Sequence, residues 1–372
     1  MVAAIFSVII VSPNPGDTPH IWMAPMAAQQ RDIITGPGAW IGPEIQHDES
    51  WIYRFDTAAL AEIDAALAHA KKVGARIPFA PQAFPLPRFG AELDNILDQI
   101  ENGRGFMLLR GIPRERYTDE ECELLYWGLG AHLGNPVSQN VRGHRLGHVR
   151  DEGRILADPN ARAYQTNQRM DFHTDVLPVD LLGLFCLRTA KSGGASKVVS
   201  ALTVHNILRN ERPDLLDALY GMFNIDWRGE EPEGEQPWYT IPMFSARDGR
   251  VTARICSRSY FESAARFSEQ YRPTDIQRVA LETVQDIANR PELMLSMDFQ
   301  EGDIQLLNNH TMLHARESYE DFDEPGRERH LLRMWIAVAD ARRRPLSDAL
   351  AGRYRWVRQG GIPVKAAAQA KG

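Results

Sequence analysis

Leu293-Met-Leu-Ser-Met-Asp-Phe299, followed by Asp303-Ile-Gln-Leu-Leu307 and Asn308-Asn-His-Thr-Met-Leu-His314, is the stretch on which the fold is read. In its first segment apolar residues take every second place (Leu293, Leu295, Met297, Phe299), the period of a half-buried strand. Similar short runs, Leu182-Gly-Leu-Phe-Cys-Leu187 and Leu331 to Val338, are set apart by turns. Helical segments interrupt them: Ala201 to Tyr220, broken before Pro213, and Thr274 to Ala288, with Ile276, Val279, Ala280 and Ile287 on one face. Strands on both sides of a helical insert predict a mixed, mainly β fold, a β-sandwich or a jelly roll (double-stranded β-helix), with helical insertions and flanking helices.

Upstream, Leu60, Ile63 and Leu67 have helical spacing behind an Asp56/Thr57 cap. Gly105-Phe-Met-Leu-Leu-Arg110 reads as a buried strand. Thr118-Asp-Glu-Glu121 is a capping box for a helix that carries Cys122, Leu125, Tyr126 and Leu129 on one face. That helix runs into Gly128-Leu-Gly130-Ala-His-Leu-Gly134. A dinucleotide loop follows a strand and opens a helix, whereas these glycines close one, so no nucleotide site is read there. Residues 13–43 hold six prolines and four glycines, an irregular arm. The division expected is an arm over 1–50, one catalytic domain over 51–340 and a basic extension over 341–372, whose eight basic residues face a single acid. The apolar run Val2 to Val11 lacks the charged start of a signal peptide and reads as a strand or extension, with Met23 or Met26 as alternative starts.

Of the 372 residues, 44% are apolar and 24% charged, ordinary for a chain with a sizeable core. A net charge of −7 argues against nucleic acid and anionic membrane as partners, and no apolar stretch is long enough to span a bilayer. Three widely spaced cysteines suggest neither a disulfide framework nor a zinc ribbon, and fit a cytoplasmic location. The partner expected is a small molecule, with room for a homo-oligomer.

The sharpest chemical feature is Asp171-Phe-His-Thr-Asp175. On a strand, His173 and Asp175 project from one face, two-thirds of the 2-His-1-carboxylate set that holds Fe(II) and leaves positions open. One such pair is expected by chance among eleven histidines, so a third ligand is required. His310 and His314 both offer it, and spacing does not choose between them. Arg333, among Leu331, Leu332, Met334 and Trp335, needs a partner if buried; a bidentate ligand carboxylate is one, and an internal Asp or Glu, or exposure on a sheet face, is the alternative.

In order, His173-Thr-Asp175, Gly193-Gly-Ala-Ser196, Asn308-Asn-x-x-x-Leu-His314 and Arg329-x-x-x-Arg333-x-Trp335 resemble the taurine dioxygenase-like (TauD/TfdA) family of Fe(II)- and 2-oxoglutarate-dependent oxygenases over roughly residues 100–340. The resemblance implies Fe(II), 2-oxoglutarate as cosubstrate, and O2. It implies His173, Asp175 and His314 as ligands, with His310 a neighbour. It assigns Arg333 to the distal (C5) carboxylate of 2-oxoglutarate and Ser196 to the same carboxylate, with Arg329 assisting. Halogenating relatives carry Gly or Ala where Asp175 stands, so hydroxylation or another C–H oxidation is implied.

Candidate substrate contacts are Gln139, Asn140, Asn167 and Arg169; Arg316, two after His314, is a candidate to orient groups behind the ligands. The acidic loop Gly229-Glu-Glu-Pro-Glu-Gly-Glu235 reads as solvated, with a lid as the alternative. The rival reading is a metal-dependent hydrolase or isomerase that does not use 2-oxoglutarate. A non-catalytic binding protein is a third, and the complete ligand set speaks against it.

Overall fold

The computed structural model describes residues 32–155 and 162–365. The expectations for Val2 to Val11 and for the first part of the arm lie outside the described residues.

Gly105-Phe-Met-Leu-Leu-Arg110 lacks alternation because the strand Phe106–Arg110 is buried on both faces. Phe106 and Leu108 enter one apolar core, and Met107 and Leu109 enter another. This strand belongs to a seven-stranded sheet ordered Ile52–Arg54, Phe106–Arg110, Ile304–Asn308, Leu181–Arg188, His330–Ala337 and Asn135–Val137, with Leu146–Val149 also paired to His330–Ala337. Only the Ile52–Arg54 pairing is parallel. A second, antiparallel sheet has the order Leu295–Met297, Ser196–Ser200, Met312–Arg316 and Met170–His173. Leu293, Leu295 and Met297 are buried as their alternation predicts, although only Leu295–Met297 pairs.

Helices Thr57–Lys72, Phe89–Glu101 and Asp119–Leu133 cover one face of the larger sheet. Ala201–Glu211 and Asp275–Ala288 pack on the smaller one, with Pro213–Tyr220 against them. Their starts follow the sequence: Asp56 accepts from the Ala59 N–H, and Thr118 and Glu121 complete the reciprocal capping box. Gly128 and Gly130 lie inside the third helix. A Cβ on Gly130 would stand 2.1 Å from the Met334 sulfur, so glycine lets the helix approach the sheet.

The mainly β expectation needs correction. Among the described residues helices contribute more positions than strands, because both sheets bury an outer face under helices. The architecture is mixed α/β.

Alternation along His330–Ala337 positions the site. Leu332, Met334 and Ile336 face the helices, so Arg333 and Trp335 face the other way, toward the smaller sheet. After helix Asp348–Arg358 the chain returns to this region. Ile362 N–H donates to the Ser138 carbonyl, and a Cβ on Gly361 would fall 2.2 Å from that oxygen. Cys122, Cys186 and Cys256 are buried and free. No helix among the described residues is long and apolar enough to cross a membrane.

Candidate active site

His173 ends its strand directly opposite His314, and the two imidazole centres are 4.1 Å apart. Asp175 follows just past the strand end. Its Oδ1 lies 3.8 Å from His173 Nε2 and 3.7 Å from His314 Nε2. One ligand atom from each of the three residues falls within 4.8 Å of the others. His173 Nδ1 sits 2.7 Å from the Asp171 carbonyl; as donor there, it leaves Nε2 free to bind a metal. Burial, and then the neighbouring His173, hold the His314 imidazole neutral, its pKa down to about 3. Burial likewise lowers His173. Burial opposes the charge on Asp175, but Arg333, His314, His173 and Trp335 outweigh it and keep the carboxyl below its usual range. Two neutral imidazoles and one carboxylate, all buried, fit a divalent first-row metal.

The contacts that hold Asp175 were not foreseen from the sequence, although Arg333 and Trp335 were singled out there. Its N–H donates to Asn309 Oδ1 at 2.8 Å, and its carbonyl accepts from Arg254, a fully buried arginine. Trp335 Nε1 donates to Asp175 Oδ2, and Arg333 Nη1 is 3.2 Å from the same oxygen. Asn309 lies in the Asn-rich run before His314, the one signal that pointed to it.

His310 is not with the triad. It is fully buried, and its Nε2 is 3.3 Å from Asp180 Oδ1. The backbone turn at Asn308–Thr311 carries it away from the face that His314 occupies.

Behind the triad an inner cavity is lined by Ser196, His314, Arg316, Arg329, Arg333 and Phe299, among others. Arg316 and Arg329 are buried there, and neither makes an ion pair among the described residues. Buried Nε and Nη1 of Arg316 and Nη1 of Arg329 have no hydrogen-bond partner. Burial, and then Arg329, pull the Arg316 pKa down to about 10. Arg316 Nη2 donates to the Thr166 and Gln168 carbonyls, and Asp321 and Asp151 act on the pair only from beyond ion-pair distance, so two buried cations on this cavity favour an anionic ligand. Ser196 Oγ is within reach of Gln305 at 3.2–3.4 Å.

A second, outer cavity shares His173, Asp175 and Arg333 with the first and has Gln139, Asn140 and Arg169 on its wall. Gln139 Oε1 accepts from Arg333 Nε at 2.7 Å. Asn140 caps its own turn, and Arg169 reaches Asn289 at the rim. Asn167 lines neither cavity, because its segment turns outward and its carbonyl accepts from Tyr319 N–H. Arg162, Trp227, Glu230, Tyr260 and Ile362 also form this wall and were not foreseen. The acidic loop expected to be solvated is tied down: Glu231 pairs with Lys365 at 2.6 Å, Glu235 with Arg355, and Glu230 accepts from Val141 N–H.

A three-ligand metal site beside a cavity lined by two buried arginines fits a non-haem iron oxygenase that uses a 2-oxo acid. The chain belongs to the family described as "Taurine catabolism dioxygenase TauD, TfdA family", whose profile matches residues 66–335. It is an Fe(II)- and 2-oxoglutarate-dependent oxygenase. FR-33289 synthase of Streptomyces rubellomurinus is 34% identical over 87% of this chain and 95% of its own. Taurine hydroxylase-like protein SAT17 of Stachybotrys chartarum is 29% identical, covering 80% and 77%. Among solved structures, asparagine oxygenase with Fe(II), 2S,3S-3-hydroxyasparagine and succinate superposes with a TM-score of 0.56 at 14% identity, over 77% of this chain and 93% of that one. The non-heme iron oxygenase OrfP with Fe, succinate and (3S)-hydroxy-L-Arg gives 0.54 at 16%, over 84% and 99%. These likenesses are of fold.

Proposed function

We propose that this enzyme hydroxylates a C–H bond of a small molecule held in the outer cavity, with His173, Asp175 and His314 holding Fe(II). The observation that carries the reading is the pair of buried guanidiniums of Arg316 and Arg329 beside the triad, neither held in an ion pair among the described residues and each with a buried nitrogen that lacks a hydrogen-bond partner. In this reading 2-oxoglutarate occupies the inner cavity. Its distal carboxylate lies against Arg329 and Arg316, with the Ser196 hydroxyl near by. That moves the anchoring role expected of Arg333 to Arg329, because Arg333 is already engaged by Asp175 and Gln139. The hydrolase or isomerase reading leaves the two cations without a purpose.

When bound, Fe(II) and 2-oxoglutarate supply the oxidising equivalents, and the cosubstrate leaves as succinate and CO2. The chain's own residues hold and orient. His173 and His314 are kept neutral by burial, Asn309 and Arg254 fix the backbone of Asp175, and Trp227, Tyr260 and Ile362 shield the substrate side from water. The name of one relative, the taurine hydroxylase-like protein, supports hydroxylation as the outcome. We read the two sheets as the double-stranded β-helix core of a catalytic domain over 51–340, and the location as cytoplasmic, which the free cysteines support.

The test is aerobic incubation of the protein with Fe(II) and 2-oxoglutarate, following succinate. Release that depends on both additions supports the reading; none at any concentration of iron or cosubstrate removes it.

A further inference from the structure

The two carboxylate oxygens of Asp175 have different surroundings. Oδ1 faces the Nε2 atoms of His173 and His314 at 3.8 and 3.7 Å. Oδ2 turns away from them and is taken by Trp335 Nε1–H and by Arg333 Nη1 at 3.2 Å. Arg333 and Trp335 are two apart on one strand, so both reach the carboxylate from the same face.

Arg333 is itself held by several contacts, although it lines both cavities. Its Nε donates to Gln139 Oε1 at 2.7 Å, and Gln139 Nε2 returns a bond to the Arg333 carbonyl at 2.8 Å and another to the Arg145 carbonyl at 2.9 Å. Its guanidinium lies 4.8 Å from the Tyr164 ring centre and 5.0 Å from that of Trp335. Gln139 and Trp335 are buried, and the Arg333 side chain is 13% exposed. This cation is placed with little freedom left.

We propose that Arg333 is a positioning residue which, with Trp335, locks Oδ2 of Asp175 so that only Oδ1 is presented to the metal. A carboxylate that swung to offer both oxygens would take up one of the positions a facial triad must leave open for cosubstrate and O2. The proposal rests on the assignment of Asp175 as a ligand. It differs from the reading in which Arg333 anchors 2-oxoglutarate, and the two separate cleanly in experiment.

The test uses the full chain under anaerobic conditions. Fe(II) affinity is measured first without 2-oxoglutarate, then the visible absorption band of the Fe(II)·2-oxoglutarate complex is recorded. Partners of metal ligands typically contribute about 10–100-fold to metal affinity. Arg333→Gln is expected to weaken Fe(II) binding by about tenfold or more with no cosubstrate present, and to shift the band. Arg333→Lys keeps a cation near Oδ2 and should recover part of the affinity. Trp335→Phe, which removes only the Nε1–H, should move both readouts in the same direction by a smaller amount, and carries the test if Arg333→Gln does not fold. Unchanged Fe(II) affinity in folded Arg333→Gln and Trp335→Phe, with only the 2-oxoglutarate affinity altered, overturns the proposal in favour of the anchoring role. Failure of the wild-type protein to bind Fe(II) overturns the ligand assignment itself.

Discussion

Arg316 and Arg329 lie against the same ring, their guanidiniums 4.9 and 5.1 Å from the centre of Tyr319. Side by side and buried without an ion pair among the described residues, they repel each other, and a bound anion would relieve that cost. Truncating one partner of a buried charge pair typically costs about 2–5 kcal/mol. At 1.4 kcal/mol per decade, Arg329→Ala should raise the apparent 2-oxoglutarate constant roughly 30-fold or more. Arg316→Gln should act in the same direction. Succinate release as a function of 2-oxoglutarate concentration reads both, and an iron-loaded Arg329→Ala with unaltered dependence would remove Arg329 from the cosubstrate site.

Replacement of any one of His173, Asp175 or His314 by alanine should abolish Fe(II) binding and 2-oxoglutarate turnover, since each supplies one of three ligand atoms. His310→Ala should keep the turnover and lose stability instead, because it empties a buried site and leaves Asp180 without that partner. Metal titration and thermal melting separate the two behaviours. A dead, well-folded His310→Ala with an active His314→Ala would reverse the ligand choice.

Glu101 is buried, its Oε1 has no hydrogen-bond partner, and burial raises its pKa to about 8. The folded chain therefore keeps the proton over a range in which the unfolded chain, at about 4.5, has released it. Such a group contributes stability that is full below about pH 4.5 and is lost as the pH rises toward 8. Glu101→Gln should flatten this slope, raising the melting temperature at pH 8 relative to wild type and changing it little at pH 5. Parallel melting curves for the two proteins across that range would show that Glu101 is not the protonated group.

The loop that walls the outer cavity is held by the C-terminal segment. Lys365 pairs with Glu231, Arg355 with Glu235, and Arg353 stacks 4.4 and 3.7 Å from the ring centres of Trp227 and Tyr239. Lys365→Glu combined with Arg355→Glu sets like charges against one another. Hydrogen–deuterium exchange across residues 229–235 should then speed up about tenfold, roughly 1.4 kcal/mol of lost local stability. Adding Glu231→Lys should restore part of the protection. If the exchange rates stay at the wild-type value, the segment does not hold the loop.

Local chemistry in the sequence was enough for much of the protein. Asp56, Thr118 and Thr274 each start the helix expected of them, since a cap needs only a neighbour three residues on. The His173-Thr-Asp175 pair is also local: one strand end brings both side chains to one place. Helical content was underestimated because the burial of both outer sheet faces is a property of the packed layers, not of any one segment. The tertiary structure decided between His310 and His314, because cross-strand register sets His314 opposite His173 while a turn directs His310 to Asp180. It also set what surrounds each arginine. A strand pattern tells which face Arg329 and Arg333 occupy, but the charge on a guanidinium is answered by whatever the fold brings near. For Arg333 that is Asp175, from a distant part of the chain; for Arg329 it is the Tyr319 ring, which Arg316 shares, with Asp321 beyond ion-pair distance.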